Sequence, residues 1–85
     1  MNVIMVTTEA CGPCKAMKPM VIEAAAEANV HLSIRTVKAG DPLLDEYNVR
    51  SVPTLIKLVG DTESERLVGK QTTETINRFF SDRNK

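Results

Sequence analysis

Eighty-five residues with a formal net charge of zero, 42% hydrophobic and 26% charged, have the composition of an ordinary globular domain, and a chain this short buries only about 60–65% of its unfolded surface, so its core is small. Eleven basic and 11 acidic residues without a basic stripe, and Tyr47, Phe79 and Phe80 as the sole aromatic residues, argue against a nucleic-acid partner, which needs clustered cations or stacking rings. No apolar run approaches the roughly 18 residues that span a membrane, and Met1-Asn2-Val3 lacks the basic and apolar regions of a secretion signal, so no membrane partner and a cytoplasmic location are expected.

In chain order, Asn2 to Thr7 carries Val3, Ile4, Met5 and Val6 in unbroken succession, the pattern of a central strand covered on both faces. From Gly12 to about Ala28, the residues Cys14, Met17, Met20, Val21, Ala24, Ala25 and Ala28 recur at steps of three and four, which predicts an amphipathic helix with Lys15, Lys18, Glu23 and Glu27 off the stripe. Pro13 stands in the first turn, where a missing N–H is harmless. Pro19 lies inside the helix and predicts a kink, and Asn29 marks the C-cap region. Leu32 to Val37 alternates, with Leu32, Ile34 and Thr36 to one side and Ser33, Arg35 and Val37 to the other, as a half-covered edge strand does. After the loop at Lys38 to Gly40, Asp41 and Pro42 predict the cap and first residue of a short helix whose apolar side is Leu43, Leu44 and Tyr47.

Val49 to Pro53 is a loop, and Thr54 to Val59 (Leu55, Ile56, Leu58, Val59) is densely apolar again, a second central strand. Gly60-Asp61 is a turn. Thr62 to Val68 reads as an edge strand guarded by Glu63, Glu65 and Arg66, and Gly69 ends it. Thr72 or Thr73 caps a last helix with Glu74 in its first turn and with Ile76, Phe79 and Phe80 buried. Ser81 to Lys85 is a polar tail. The first crossover is right-handed and the final hairpin antiparallel. This βαβαββα order predicts an α/β fold over a single domain, residues 1–85: a four-stranded mixed sheet, the two dense strands in the middle, helices on both faces.

Cys11 and Cys14 are the only cysteines. A staple enclosing two residues removes little chain entropy and stabilises weakly. A dithiol that cycles needs one ionised, accessible thiol and a second close enough to attack the first one's mixed disulfide. Unpaired N–H groups at a helix start favour a thiolate at Cys11, which is expected to ionise more readily than free cysteine. Cys14 falls in phase with the core residues Met17 and Val21, Cys11 roughly with the solvated Lys15 and Lys18. Cys11 is therefore the expected attacking thiol and Cys14 the resolving one. A structural zinc site wants four ligands. Only Cys11, Cys14 and His31 offer themselves, with His31 at the far end of the helix and read as a surface loop residue, so no metal and no cofactor are expected. The chain is expected to be a monomer, although a dimer sharing a metal between two cysteine pairs stays open.

Cys11-Gly12-Pro13-Cys14-Lys15 with Pro19 five positions after Cys14, Val52-Pro53-Thr54, and Val68-Gly69 together make the chain similar to the thioredoxin/glutaredoxin superfamily over nearly its whole length. The resemblance implies a thioredoxin-like fold and a protein-disulfide reductase acting by dithiol–disulfide exchange at Cys11 and Cys14. It further implies a cis peptide at Val52–Pro53, Pro53 beside the disulfide, the Val52 backbone paired with a substrate strand and Gly69 lining the same groove. Gly12, Pro13, Val52, Pro53 and Gly69 thus form the substrate-binding set. The implied partners are disulfide-containing proteins and an electron source, either an NADPH-dependent thioredoxin reductase or glutathione.

The sequence also departs from the thioredoxin pattern. The first strand and helix usual in thioredoxins are missing, giving a glutaredoxin-like length. Ala10 stands where a tryptophan is usual. Met5 stands where thioredoxins bury an acid that assists proton transfer from the second cysteine, so the proton leaves through water or another group. Gly69-Lys70-Gln71 replaces the Gly-Gly-acidic segment of glutathione-using glutaredoxins. The alternatives are a glutaredoxin-like electron donor, for example to ribonucleotide reductase, and a non-catalytic thioredoxin-fold binding module or processivity-type subunit.

Overall fold

The computed structural model describes residues 1–81. Its elements are β1 (Asn2–Thr7), α1 (Gly12–Ala28), β2 (His31–Thr36), α2 (Pro42–Glu46), β3 (Thr54–Val59), β4 (Thr62–Val68) and α3 (Thr73–Ser81). Three boundaries differ from expectation. β2 ends at Thr36, so Val37, expected as its last residue, lies just beyond it. His31 opens β2 rather than preceding it, because it pairs with Asn2. Ser81 is the last residue of α3 rather than the first of a tail; the rest of that expected tail, residues 82–85, lies outside the described residues.

The strands lie in the order β2-β1-β3-β4. β1 runs parallel to β2 and antiparallel to β3, and β3 is antiparallel to β4. The two dense strands are central because successive side chains point to opposite faces and a helix layer waits on each. Val3, Met5 and Leu55 pack with Met17, Val21, Ala24 and Ala25 of α1 and with Ile76, Phe79 and Phe80 of α3. Ile4, Val6 and Ile56 pack on the opposite face with Val37, Leu43 and Val49. Thus α1 and α3 cover one face and α2 the other.

Each helix is capped by chemistry visible in the chain. Asn29 adopts the left-handed region (φ 57°, ψ 43°) at the end of α1, its N–H directed at the carbonyls of Ala25 and Ala26. The Asp41 carboxylate accepts the Leu43 N–H at 2.9 Å. Thr72 Oγ1 accepts the Thr75 N–H at 3.1 Å, which selects Thr72 over Thr73 as the cap of α3. Thr73 Oγ1 instead reaches Met20 Sδ at 2.9 Å.

Arg66 joins the exposed edge to the end of α2. Its guanidinium donates to both carboxylate oxygens of Glu63 at 2.6 Å, to the Tyr47 carbonyl at 2.6 Å and to the Asn48 carbonyl at 3.4 Å. The hydrogen bond from Arg66 holds the Glu63 carboxyl below its ordinary 4.5, against a smaller upward push from burial and with help from the Arg66 charge. A depressed carboxyl adds stability above its unfolded value, and that stability is lost as pH falls through the folded value. Arg66→Ala is expected to cost about 1 kcal/mol, the low end for bonds to a charged group because this one is partly exposed, or about 4–8 °C in Tm. Melts at neutral and acidic pH check this. The deficit narrows as Glu63 protonates but does not vanish, since the carbonyl bonds do not titrate.

Candidate active site

Strand pairing brings three separate parts of the chain to one end of the sheet. Val6 pairs with Thr54 and Thr54 with Val68, so the end of β1, the start of β3 and the end of β4 lie side by side. The loop carrying Cys11, the Val52–Pro53 peptide and Gly69 each adjoin one of those positions. The Gly69 N–H donates to the Pro53 carbonyl at 2.8 Å, which makes these two residues neighbours. Gly69 has φ +84°, a conformation that glycine adopts without penalty. Val52–Pro53 is cis, as the family resemblance implies. Thr54 Oγ1 donates to the Ser51 carbonyl at 2.7 Å, tying the loop to the strand it enters. Val52 is half-buried and packs against both core clusters, one of which contains Cys11 and Cys14.

Cys11 and Cys14 are joined by a disulfide, with Cα atoms 5.2 Å apart. Cys11 is the N-cap of α1 in an extended conformation (φ −89°, ψ 106°), and its Sγ accepts the Cys14 N–H at 3.1 Å. A sulfur that receives a helix-terminal amide is set to hold negative charge once the disulfide is reduced. Cys14 is 2% exposed, Cys11 8%. The ranking agrees with expectation, but the phase argument that put Cys11 among the solvated Lys15 and Lys18 is corrected: Cys11 is buried. A cap residue is not helical, and its extended backbone turns the sulfur back over the first turn, against the core cluster. Gly12 and Pro13 between them are exposed.

Beside the site runs a largely apolar cavity of ≈ 250 Å³ lined by residues that include Thr8, Val37, Leu44, Val49 and Val52. Sequence reasoning assigned Val37, Leu44 and Val49 to a strand, a helix and a loop without seeing that they share this wall. No local pattern carries that information, since the residues meet only across the α2 face of the sheet. His31 pairs with Asn2, at the opposite end of β1 from the cysteines. Among the described residues no group of three or more His, Cys, Asp or Glu could hold a metal ion, and no helix is long and apolar enough to cross a membrane.

A disulfide-forming cysteine pair at the start of a helix, on a four-stranded mixed sheet with helices on both faces, defines a thiol–disulfide oxidoreductase. The sequence model of the Thioredoxin family matches residues 1–82, and the chain belongs to the thioredoxin family. The thioredoxin of Chlamydia trachomatis is 36% identical over 75 residues, 86% of this chain and 72% of that protein. The bifunctional thioredoxin reductase/thioredoxin of Mycobacterium leprae is 32% identical over 74 residues, 85% of this chain but 16% of that protein. The structure of thioredoxin 1 from Thermosipho africanus matches with a TM-score of 0.82 at 26% identity, covering 100% of both chains.

Proposed function

We propose that residues 1–85 act as one domain that reduces disulfides in other proteins. The Cys11 thiolate attacks one sulfur of the target disulfide. A Cys11–target bond forms, the target's S–S bond breaks, and the departing target thiolate takes a proton from water. Cys14, having lost its proton, attacks Cys11 Sγ; the Cys11–Cys14 disulfide forms and the second target thiolate leaves. The target gains two electrons and two protons, and the protein ends in the oxidised form. The observation that carries these roles is the helix amide donated to Cys11 Sγ at 3.1 Å, together with the lesser burial of that residue.

An extended target segment lies along the Val52 backbone, between Gly12-Pro13 on one side and Pro53 and Gly69 on the other, with an apolar target side chain in the cavity beside Val52. Backbone pairing of this kind accepts many sequences. An NADPH-dependent thioredoxin reductase returns the electrons; a relative whose name joins reductase and thioredoxin in one chain supports this donor. A reducing compartment such as the cytoplasm suits a dithiol that must be regenerated.

Reduction of insulin by dithiothreitol, followed as turbidity, is expected to accelerate with catalytic amounts of the protein and not with Cys11→Ser. Absence of acceleration by the wild type would falsify the reading. Recycling by NADPH and reductase is expected to outpace recycling by glutathione; the reverse order would make the protein a glutaredoxin-like donor instead.

A further inference from the structure

The resolving step poses a problem of proton transfer. At neutral pH a free cysteine is mostly a thiol, and Cys14 must shed that proton before it attacks. The cluster that holds it is built from Met5, Met17, Val21, Leu55 and other apolar side chains. Among the described residues the buried polar or charged ones are Thr7, Thr54 and Lys57, with no carboxylate. Lys57 is engaged with Glu65 at 3.2 Å and pairs with Val3 along β1, well down the strand from the cysteine end.

On its other side Cys14 lines a cavity of ≈ 230 Å³, walled by Thr7 and Thr36 from the two parallel strands, Thr8 and Glu9 from the loop, and Lys15 and Lys18 from α1. A space of this volume has room for several water molecules. Among the described residues Glu9 is the one carboxylate in the lining, and Lys15 and Lys18 are the charged groups that α1 contributes to it. The threonine hydroxyls accept and donate hydrogen bonds and so can hold a relay of water.

We propose that the proton of Cys14 leaves through this cavity, by way of water, to the Glu9 carboxylate. The inference rests on the assignment of Cys14 as resolving thiol. The balance is direct. The proton passes from Cys14 Sγ through water to Glu9, the freed electron pair makes the Cys14–Cys11 bond, and the Cys11–target bond breaks to release the target thiolate. When the disulfide is reduced again the same path returns a proton to Cys14. Glu9 acts through water and is a proton-relay and positioning residue.

The test uses the reduced protein mixed with less than one equivalent of dithiobis-nitrobenzoate in stopped flow. The first coloured thiolate reports attack by Cys11, and the second reports resolution by Cys14. Glu9→Gln is expected to leave the first phase unchanged and to slow the second on the order of tenfold near neutral pH, the modest end for general-base catalysis because water intervenes. The difference closes at alkaline pH, where hydroxide takes the proton. Glu9→Asp restores most of the rate, and Thr36→Leu, which fills the cavity, slows the second phase as well.

The sign is diagnostic, because removing a negative charge near a thiol favours its thiolate and would by itself speed resolution. A second phase that is unchanged or faster in Glu9→Gln overturns the proposal, as does equal slowing of both phases. Release of the second thiolate by Cys14→Ser would remove the assignment it rests on. A protein inactive on insulin that nevertheless shows both phases, with the second slowed in Glu9→Gln, would sustain the proton route and reject the protein-reductase reading alone.

Discussion

Cys14→Ser is expected to turn the protein into a trap. Its Cys11 still attacks a target disulfide, but a serine hydroxyl does not displace the target from Cys11, so the mixed disulfide accumulates and turnover stops. Cys11→Ser is expected to trap nothing, because its remaining sulfur belongs to a residue 2% exposed and cannot approach a folded target. The asymmetry follows from the start of α1. The cap sulfur receives a backbone N–H, which favours the thiolate that does the attacking, while the sulfur one turn on is packed among Met17 and Val21. Non-reducing gels and intact mass of each variant with a peptide disulfide measure the adducts. In Cys14→Ser, Cys11 is also expected to be alkylated at neutral pH faster than a free cysteine. Equal trapping by the two variants would reverse the assignment of attacking and resolving thiol.

The second large effect is expected at Lys57. Its side chain is 2% exposed, its Nζ lies 3.2 Å from Glu65 Oε1, whose side chain is 47% exposed, and it sits 4.5 Å above the Phe79 ring. A buried ammonium loses hydration that a single carboxylate and an aromatic face only partly replace. Lys57→Met keeps a buried stem of similar length and removes the charge, so it is expected to be neutral or to stabilise by about 1 kcal/mol. Lys57→Ala removes the stem and leaves a cavity, with an expected loss of about 2–4 kcal/mol, or roughly 8–30 °C in Tm for a domain of this size. Glu65→Ala strands the charge and is expected to cost about 1–2 kcal/mol, less than for a fully buried pair because water reaches the carboxylate. Urea and thermal melts rank the three. Destabilisation by Lys57→Met as large as by Lys57→Ala would show that the ion pair, not the stem, holds this region.

Lys57 also shows where sequence reading stopped. The run Thr54 to Val59 was legible as a central strand from its apolar density, and that density hid the one cation in it. Alternation places Lys57 on the same face as Leu55, inward, and the Gly60-Asp61 turn places Glu65 across from it. The pairing Lys57↔Glu65 holds only in the register that β3 and β4 adopt, which shifts between Lys57 and Leu58, and a turn dipeptide does not announce such a shift. Cys11 is a second case. Its place at the helix start was legible from Pro13 and the apolar stripe, but its burial was not, because the helical phase does not extend to a cap in extended conformation.

By itself the sequence determined much of what depends on neighbours along the chain. That includes the two-residue gap between the cysteines, the helix that begins there, the caps at Asn29 and Asp41, the dense and the guarded strands, and with them the order of layers. Periodicity, capping and turn preferences act over a few residues, so they can be read without coordinates. The tertiary structure alone decided which distant residues share a place: Pro53 beside Gly69, Val37 and Val49 along one wall, Glu9 and Thr36 around the outer side of Cys14. Those neighbours are set by how β1, β3 and β4 pair and by which face each helix covers, and that choice is made by burying the whole apolar surface at once.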